Sequence, residues 1–300
     1  MNLNELTPLQ EHNGILLKRD DLFMPFNDIS LSGGKVRQCL TLFKDLKSKI
    51  KNDFNNTVYA IGSANSPQSI IVTRCAKEFD FNSKIFIPKN IRSDNVLIQN
   101  VLGQGGTINN QAKVGHTSVM NSFIQKYSQL YKGFIVNYTS NVLESECNGL
   151  LMSVANQVQN LPDLEYLIVP CGSCIMLSGI LIGIRKFKKN IRNVLGIQIS
   201  GHNKVQFIKT LSGTDRFELI VRNDYPYSKW VKSKIGDIEL DPLYEAKAFE
   251  YIQKFRPEVL NAETCFWLSG NSIPVRTNVF SNISNVNDFD SITFNALGQW

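Results

Sequence analysis

The sequence predicts an α/β protein made of two parallel-sheet αβα domains, and two observations lead there. Short apolar runs suited to buried strands alternate along the chain with stretches whose apolar residues recur at helical spacing. The alternation comes as two series, broken near Ser145, and strand–helix–strand order implies parallel pairing within each. We expect residues 1–44 to form an N-terminal arm belonging to the large domain, 45–144 a small α/β domain and 145–300 the large α/β domain, with a cleft between the two. No internal repeat or low-complexity tract breaks the pattern.

The arm carries Leu6-Thr7-Pro8-Leu9, a strand over Ile15–Leu22 and the loop Ser32-Gly33-Gly34-Lys35. Val36, Cys39, Leu40 and Phe43 then recur at helical spacing, so Lys35 sits where a loop becomes a helix. A charged helix end over 44–51 and an Asn-rich turn lead to a strand at Thr57–Ile61. The loop Gly62–Pro67 precedes a helix marked by Ile70, Ile71, Ala76 and Phe79. Strand Lys84–Ile87, helix Asp94–Leu102, a short strand after Gly105-Gly106, helix His116–Tyr131 and strand Phe134–Asn137 complete the first series.

The second series opens with helix Asn148–Val158 and strand Tyr166–Pro170. The loop Cys171–Cys174, helix Ile175–Phe187, strand Val194–Ile199 and a helix after Gly201 follow. Thr214–Ile238 reads as irregular, before helix Pro242–Phe255 and strand Thr264–Leu268.

Composition narrows the class. With 300 residues, 43% hydrophobic and 19% charged, the chain has the make-up of a soluble globular protein of one large or two modest domains. No apolar run reaches membrane length, and Met1-Asn2-Leu3-Asn4-Glu5 lacks a signal-peptide pattern, so a cytoplasmic location without a membrane partner is expected. Six cysteines (Cys39, Cys75, Cys147, Cys171, Cys174, Cys265) are scattered through apolar segments, which suits reduced buried thiols better than a disulfide framework. A net charge of +6 permits an acidic partner without requiring one.

The chemistry of such a fold sits in loops at the carboxyl ends of its strands, and four loops carry suitable residues. In the first, two glycines bring the backbone close to a ligand and Lys35, once desolvated, has a neutral amine for Schiff-base chemistry; a turn before a solvated helix start has the same composition. In the second, the N–H groups with Ser63, Asn65 and Ser66 can hold a carboxylate or another anionic oxygen, or simply cap a helix with Pro67 in its first turn. The third, Gly172-Ser173-Cys174, points N–H groups and a positive helix end at an anion. Its Cys171-x-x-Cys174 spacing also fits a redox or zinc pair, although no second pair completes a zinc site. The fourth, Leu268–Pro274, offers Ser269.

Tyr244 is a candidate acid/base or positioning group, or a half-buried helix tyrosine. Tyr225 and Tyr227 are weaker candidates of that kind, and His12, His116 and His202 read as surface or capping residues. Arg185, Lys186, Lys188, Lys189 and Arg192 could meet phosphates or offset the dipole of the helix they end.

Lys18-Arg19-Asp20-Asp21-Leu22 followed by Ser32-Gly33-Gly34-Lys35-Val36-Arg37-Gln38 resembles the N-terminal signature of the pyridoxal-phosphate (PLP) enzymes of fold type II, the tryptophan synthase β-like class. Within it, Asp241-Pro242-Leu243-Tyr244-Glu245-Ala246-Lys247 is similar to the branch of 1-aminocyclopropane-1-carboxylate deaminase and D-cysteine desulfhydrase. The resemblance implies that pyridoxal 5'-phosphate lies in the interdomain cleft, carried by Lys35, which also moves the substrate proton. It gives Asn65 the ring oxygen, Ser66 the substrate carboxylate, Gly172, Ser173 and Cys174 the phosphate, Ser269 the ring nitrogen, and Tyr244 a face toward the substrate. The implied activity is that of a PLP-dependent lyase or deaminase acting on a small amino acid by elimination, in a homodimer.

The chain departs from that pattern in three places. Gly34 stands where asparagine is usual, and the second loop lacks a histidine. Gly172-Ser173-Cys174-Ile175-Met176 replaces Gly-Ser-Gly-Gly-Thr, leaving phosphate affinity to N–H groups and to Ser173 or Ser178. These departures keep three alternatives open: a catalytically impaired protein of the same fold, a PLP enzyme acting on an amino-acid group attached to a larger acidic substrate such as nucleic acid, and a thiol redox protein.

Overall fold

Strands form where β-rich apolar runs meet turn residues, and the first such meeting lies in the arm. The computed structural model describes residues 2–28, 31–62, 66–112, 117–136, 144–199, 201–224, 226 and 228–270. Strand β1 (Leu9–His12) pairs antiparallel with β2 (Ile15–Arg19) across Asn13-Gly14, whose φ values of 51° and 74° make the turn that suits a two-residue hairpin. A single strand running to Leu22 is expected in the arm; the chain instead leaves β2 at Arg19 for a short 3-10 turn over Asp20–Leu22.

Two compact units follow from the contacts: Met1–Asp45 with Asn137–Pro274, and Leu46–Val136. The first holds a six-stranded sheet in the order β1-β2-β12-β7-β8-β9, where β7 is Leu164–Cys171, β8 Ile191–Ile199, β9 Glu218–Arg222 and β12 Thr264–Leu268. All its pairings except β1 with β2 are parallel. Two short strands, β10 (Lys234–Ile235) and β11 (Ile238–Glu239), form a separate antiparallel pair. Period-two alternation sends Leu167, Val169, Cys265 and Trp267 into one core, with Val154 and Ile180 from helices α6 (Glu144–Ala155) and α7 (Ile175–Lys186). Ile168, Phe266 and Leu268 face the opposite core, with Ala248, Phe249 and Ile252 from α9 (Glu245–Phe255). The sheet is thus covered on both faces, the setting that parallel strands require.

The second unit has a four-stranded parallel sheet in the order β5-β4-β3-β6, from β3 (Thr57–Ile61), β4 (Asn82–Pro88), β5 (Thr107–Ala112) and β6 (Phe134–Ile135). Its helices are α2 (Lys47–Asp53), α3 (Gln68–Glu78), α4 (Val96–Gly103) and α5 (Thr117–Tyr131). Tyr59, Phe86 and Tyr127 pack edge to face at its centre.

Two expectations are corrected. The stretch Thr214–Ile238 is not wholly irregular, because β9 pairs with β8 from Leu195↔Glu218 to Ile199↔Arg222. An edge strand is only half covered, so its apolar residues do not stand out in the sequence. Residues 44–51 are not the end of one helix, since the chain breaks at Leu46 between α1 (Gly34–Asp45) and α2. Cys39, Cys75, Cys171, Cys174 and Cys265 are buried free thiols. No helix is long and apolar enough to cross a membrane among the described residues.

Candidate active site

The loop before α1 is fixed by what surrounds its two glycines. Gly33 has φ +97°, its N–H donates to the Phe23 carbonyl at 2.9 Å, and a Cβ there would collide with the Ser269 carbonyl. The Gly34 N–H donates to that same Ser269 carbonyl at 2.8 Å, and a Cβ on Gly34 would lie 2.6 Å from Asp20 Oδ2. Asp20 is ion-paired with Arg37, both fully buried, and the Arg37 guanidinium stacks 4.1 Å above the Phe23 ring. A buried carboxylate therefore fills the space that an asparagine at position 34 would need.

Lys35 follows in the first turn of α1. Schiff-base chemistry leads one to expect a desolvated amine; the structure leaves Lys35 exposed between the buried Gly34 and Val36. Its amine stands 5.5 Å from the centre of the Tyr244 ring, a cation–π distance.

Tyr244 is placed by an Asx turn and by a glycine. Asp241 Oδ1 accepts from the Leu243 and Tyr244 N–H groups at 2.9 and 3.1 Å, so α9 starts at Glu245 rather than at Pro242 as expected. The ring lies over Gly172, where a Cβ would come within 2.7 Å of its Cε1. Lys35, Tyr244 and Gly172 are thereby brought together from three segments distant in sequence.

Gly172 begins the turn from β7 into α7. Cys174 ends it in the left-handed region, φ 66°, and no side chain caps the helix. One of the departures from that pattern gains a physical reason here, and one candidate ligand is removed. Met176 packs against the core instead of facing the turn. Ser178, offered above as a phosphate ligand, is fully buried and donates its hydroxyl to the Cys174 carbonyl at 3.0 Å, which removes it from that role. Cys171 Sγ donates to the Val169 carbonyl at 3.2 Å; the neighbouring Cys171 holds the Cys174 thiol below its ordinary pKa, while Cys174 and burial push Cys171 up.

Two residues that sequence reasoning does not single out complete the region. Lys204, between β8 and α8 (Val205–Ser212), donates from Nζ to the Gly172 carbonyl at 3.2 Å. Its place just beyond the carboxyl end of the neighbouring strand is the one available signal. Glu245 is buried, and its Oε1 accepts from Ser269 N at 2.6 Å, Ser269 Oγ at 3.1 Å and Gly270 N at 3.2 Å. Its Oε2 accepts from Asp241 N at 3.1 Å. Burial, with Asp241 and Asp21 adding repulsion, pushes the Glu245 carboxyl up to about 8. The Ser269 hydroxyl thus works beside a carboxyl group, and the signal is a glutamate directly after Tyr244.

The other candidates are less gathered. Ser66 belongs to the second unit, where its hydroxyl accepts from Gln68 N at 3.4 Å before α3. Asn65, Ser63, Tyr225, Tyr227 and His116 lie outside the described residues. His12 meets Asp237 at 3.2 Å, and the His202 carbonyl accepts from Gln198. In the basic cluster, Arg185 donates to Gly213 O, Lys186 to Asn156 Oδ1 and Lys189 to Leu161 O, so these three brace neighbouring loops. No group of side chains suited to a metal ion occurs among the described residues.

No protein-family profile matches the chain. Among characterised proteins it is 26% identical, over 86% of its length and 78% of the relative's, to the O-seryl-dTMP PLP-dependent decarboxylase of Salmonella phage ViI. Solved structures with the same fold include an ACC deaminase homologue (TM-score 0.69, 19% identity, 90% of this chain and 91% of that one). An O-ureido-L-serine synthase matches at TM-score 0.66 and 13% identity, over 91% of each chain. Threonine deaminase isoform 2 of Solanum lycopersicum matches at 0.63 and 15%, over 93% of this chain and 82% of that one. The chain thus has the fold of the PLP-dependent enzymes of fold type II, and its sequence is similar to that of the phage protein.

Proposed function

We propose that the chain is a PLP-dependent lyase acting at the α-carbon of an amino-acid group. The observation that carries the proposal is the convergence of an exposed lysine, the Tyr244 ring and Gly172, which opens the turn into the uncapped α7. The residues present fit the cofactor. A side chain at Gly172 would displace Tyr244, and the helix start has N–H groups with no side-chain cap among the described residues, as an anion site requires.

PLP, when bound, supplies a sink for the electron pair left on the α-carbon. The chain's own residues do the rest. Lys35 would hold the cofactor through its amine and would move a proton to or from the reacting carbon. Tyr244, within reach of that amine, orients it and presents a hydroxyl to the substrate. The Gly172–Cys174 turn would hold the cofactor's phosphate, and the resemblance noted from the sequence gives Asn65 the ring oxygen and Ser66 the substrate carboxylate. Ser269, whose hydroxyl donates to Glu245 at 3.1 Å, would serve the ring nitrogen.

The favoured substrate is an amino-acid group carried on a nucleotide, the larger acidic substrate weighed from the sequence. The likeness to the phage decarboxylase supports it. On a seryl group the step would break the bond from the α-carbon to the carboxylate, release carbon dioxide and place a proton on that carbon, leaving an aminoethyl group. The second reading is elimination or deamination of a free small amino acid, supported by the Lys35 and Tyr244 segments.

The test is to offer the PLP-loaded protein O-seryl-dTMP and, separately, free amino acids of both hands, following products by mass spectrometry. Loss of carbon dioxide from the nucleotide substrate alone supports the first reading. Ammonia and a keto acid from a free amino acid support the second, and no turnover of either defeats both.

A further inference from the structure

Resting on that reading, we infer that Lys204 is a phosphate-binding residue, which supplies at the α7 turn the donor that Met176 and Ser178 do not. Its ligand class is a phosphate monoester, that of the cofactor or that of a nucleotide substrate.

Three observations carry the inference. First, the turn lacks side-chain donors at two positions: Met176 is a thioether side chain packed against the core and the Ser178 hydroxyl is spent on the Cys174 carbonyl. Second, the helix begins among buried residues, Cys174, Ile175, Leu177 and Ser178, with no side-chain cap, so its first N–H groups need a partner from outside the helix. Third, the Lys204 ammonium is anchored at this turn by its 3.2 Å bond to the Gly172 carbonyl. That bond uses one of its three donors and leaves two to point at an anion. The charge reaches the helix start, since Lys204 also helps to lower the pKa of the Cys174 thiol.

A carbonyl-anchored ammonium beside a helix N-terminus has the two elements of a phosphate site, a fixed positive charge and convergent N–H groups. Gly172 contributes twice. Its missing side chain admits the Tyr244 ring, and its carbonyl holds the lysine.

The test uses the full chain and the variants Lys204→Met and Lys204→Arg. Dissociation constants are measured for PLP, for pyridoxal, which has the same ring without phosphate, and for dTMP. Lys204→Met should weaken PLP binding about ten- to a hundredfold, as loss of a charged hydrogen bond does, and leave pyridoxal unchanged. Lys204→Arg should recover most of the loss. If dTMP affinity falls instead and PLP affinity holds, the phosphate is that of a nucleotide substrate.

Equal weakening of PLP and pyridoxal would mean that Lys204 only braces the turn, and the inference would be overturned. No change for either phosphate compound would overturn it as well. A wild type that binds neither PLP nor pyridoxal would sink the proposed function, while the dTMP arm would still decide the role of Lys204.

Discussion

The two loops that meet Tyr244 are built on opposite principles. The Lys35 loop is closed by exclusion: Gly33 and Gly34 sit against the Ser269 carbonyl and the Asp20 carboxylate, and neither has room for a Cβ. The α7 turn has a side chain where a glycine is the easier choice, Cys174 at φ 66°, and its carbonyl at Gly172 is tied by Lys204. On the proposed function, the loop that carries the reactive amine is fixed by steric necessity, whereas the loop assigned to the anion tolerates sequence change as long as N–H groups and a charge remain.

The largest effect should come from the excluded volume. Gly33→Ala adds a Cβ that collides with backbone at a positive φ, and should cost more than about 3 kcal/mol in denaturant unfolding. Gly172→Ala meets a side chain that can shift, so about 1–3 kcal/mol is expected, with Tyr244 displaced and cofactor affinity reduced. Cys174→Gly relieves left-handed strain but loses buried packing, and the two should nearly cancel, within about 1 kcal/mol. A Cys174→Gly change as costly as Gly33→Ala would erase the contrast between the loops.

A subtler test concerns Glu245, which holds the Ser269 segment against which the Lys35 loop is closed. Glu245 has its pKa raised to about 8 in the fold from an ordinary 4.5, so the folded state holds a proton that the unfolded chain releases. The stabilisation linked to that proton is complete below pH 4.5 and is lost as pH rises through about 8. Glu245→Gln keeps an acceptor for Ser269 and Gly270 and removes the titration, so its stability should be flatter over that window than the wild type's. Parallel stability–pH curves would show that the carboxyl does not titrate there.

Much of the fold is legible in the sequence because the central strands announce themselves. Thr264–Leu268 is buried at every position, and its expected bounds are those observed. The Lys35 helix and the start of α7 are legible for a related reason, an apolar period following a glycine turn. The edge strands are not. β9 is half exposed, and β1 is marked only by the Asn13-Gly14 turn that follows it. Within the site, Lys35, Tyr244 and Gly172 can be named from sequence because each lies in a distinctive local motif. Lys204 and Glu245 act through contacts with segments 32 and 24 residues away, and their immediate neighbours in sequence mark them only weakly.

The central claim is that Lys35 carries PLP, and one measurement addresses it directly. The visible spectrum of the full chain with added PLP is recorded for wild type and Lys35→Ala, before and after borohydride, followed by mass mapping of the reduced protein. The account predicts an absorption band that borohydride bleaches, present with wild type only, and a pyridoxyl mass fixed on Lys35. A wild type that stays colourless at saturating PLP, or a band that survives Lys35→Ala unchanged, would contradict it.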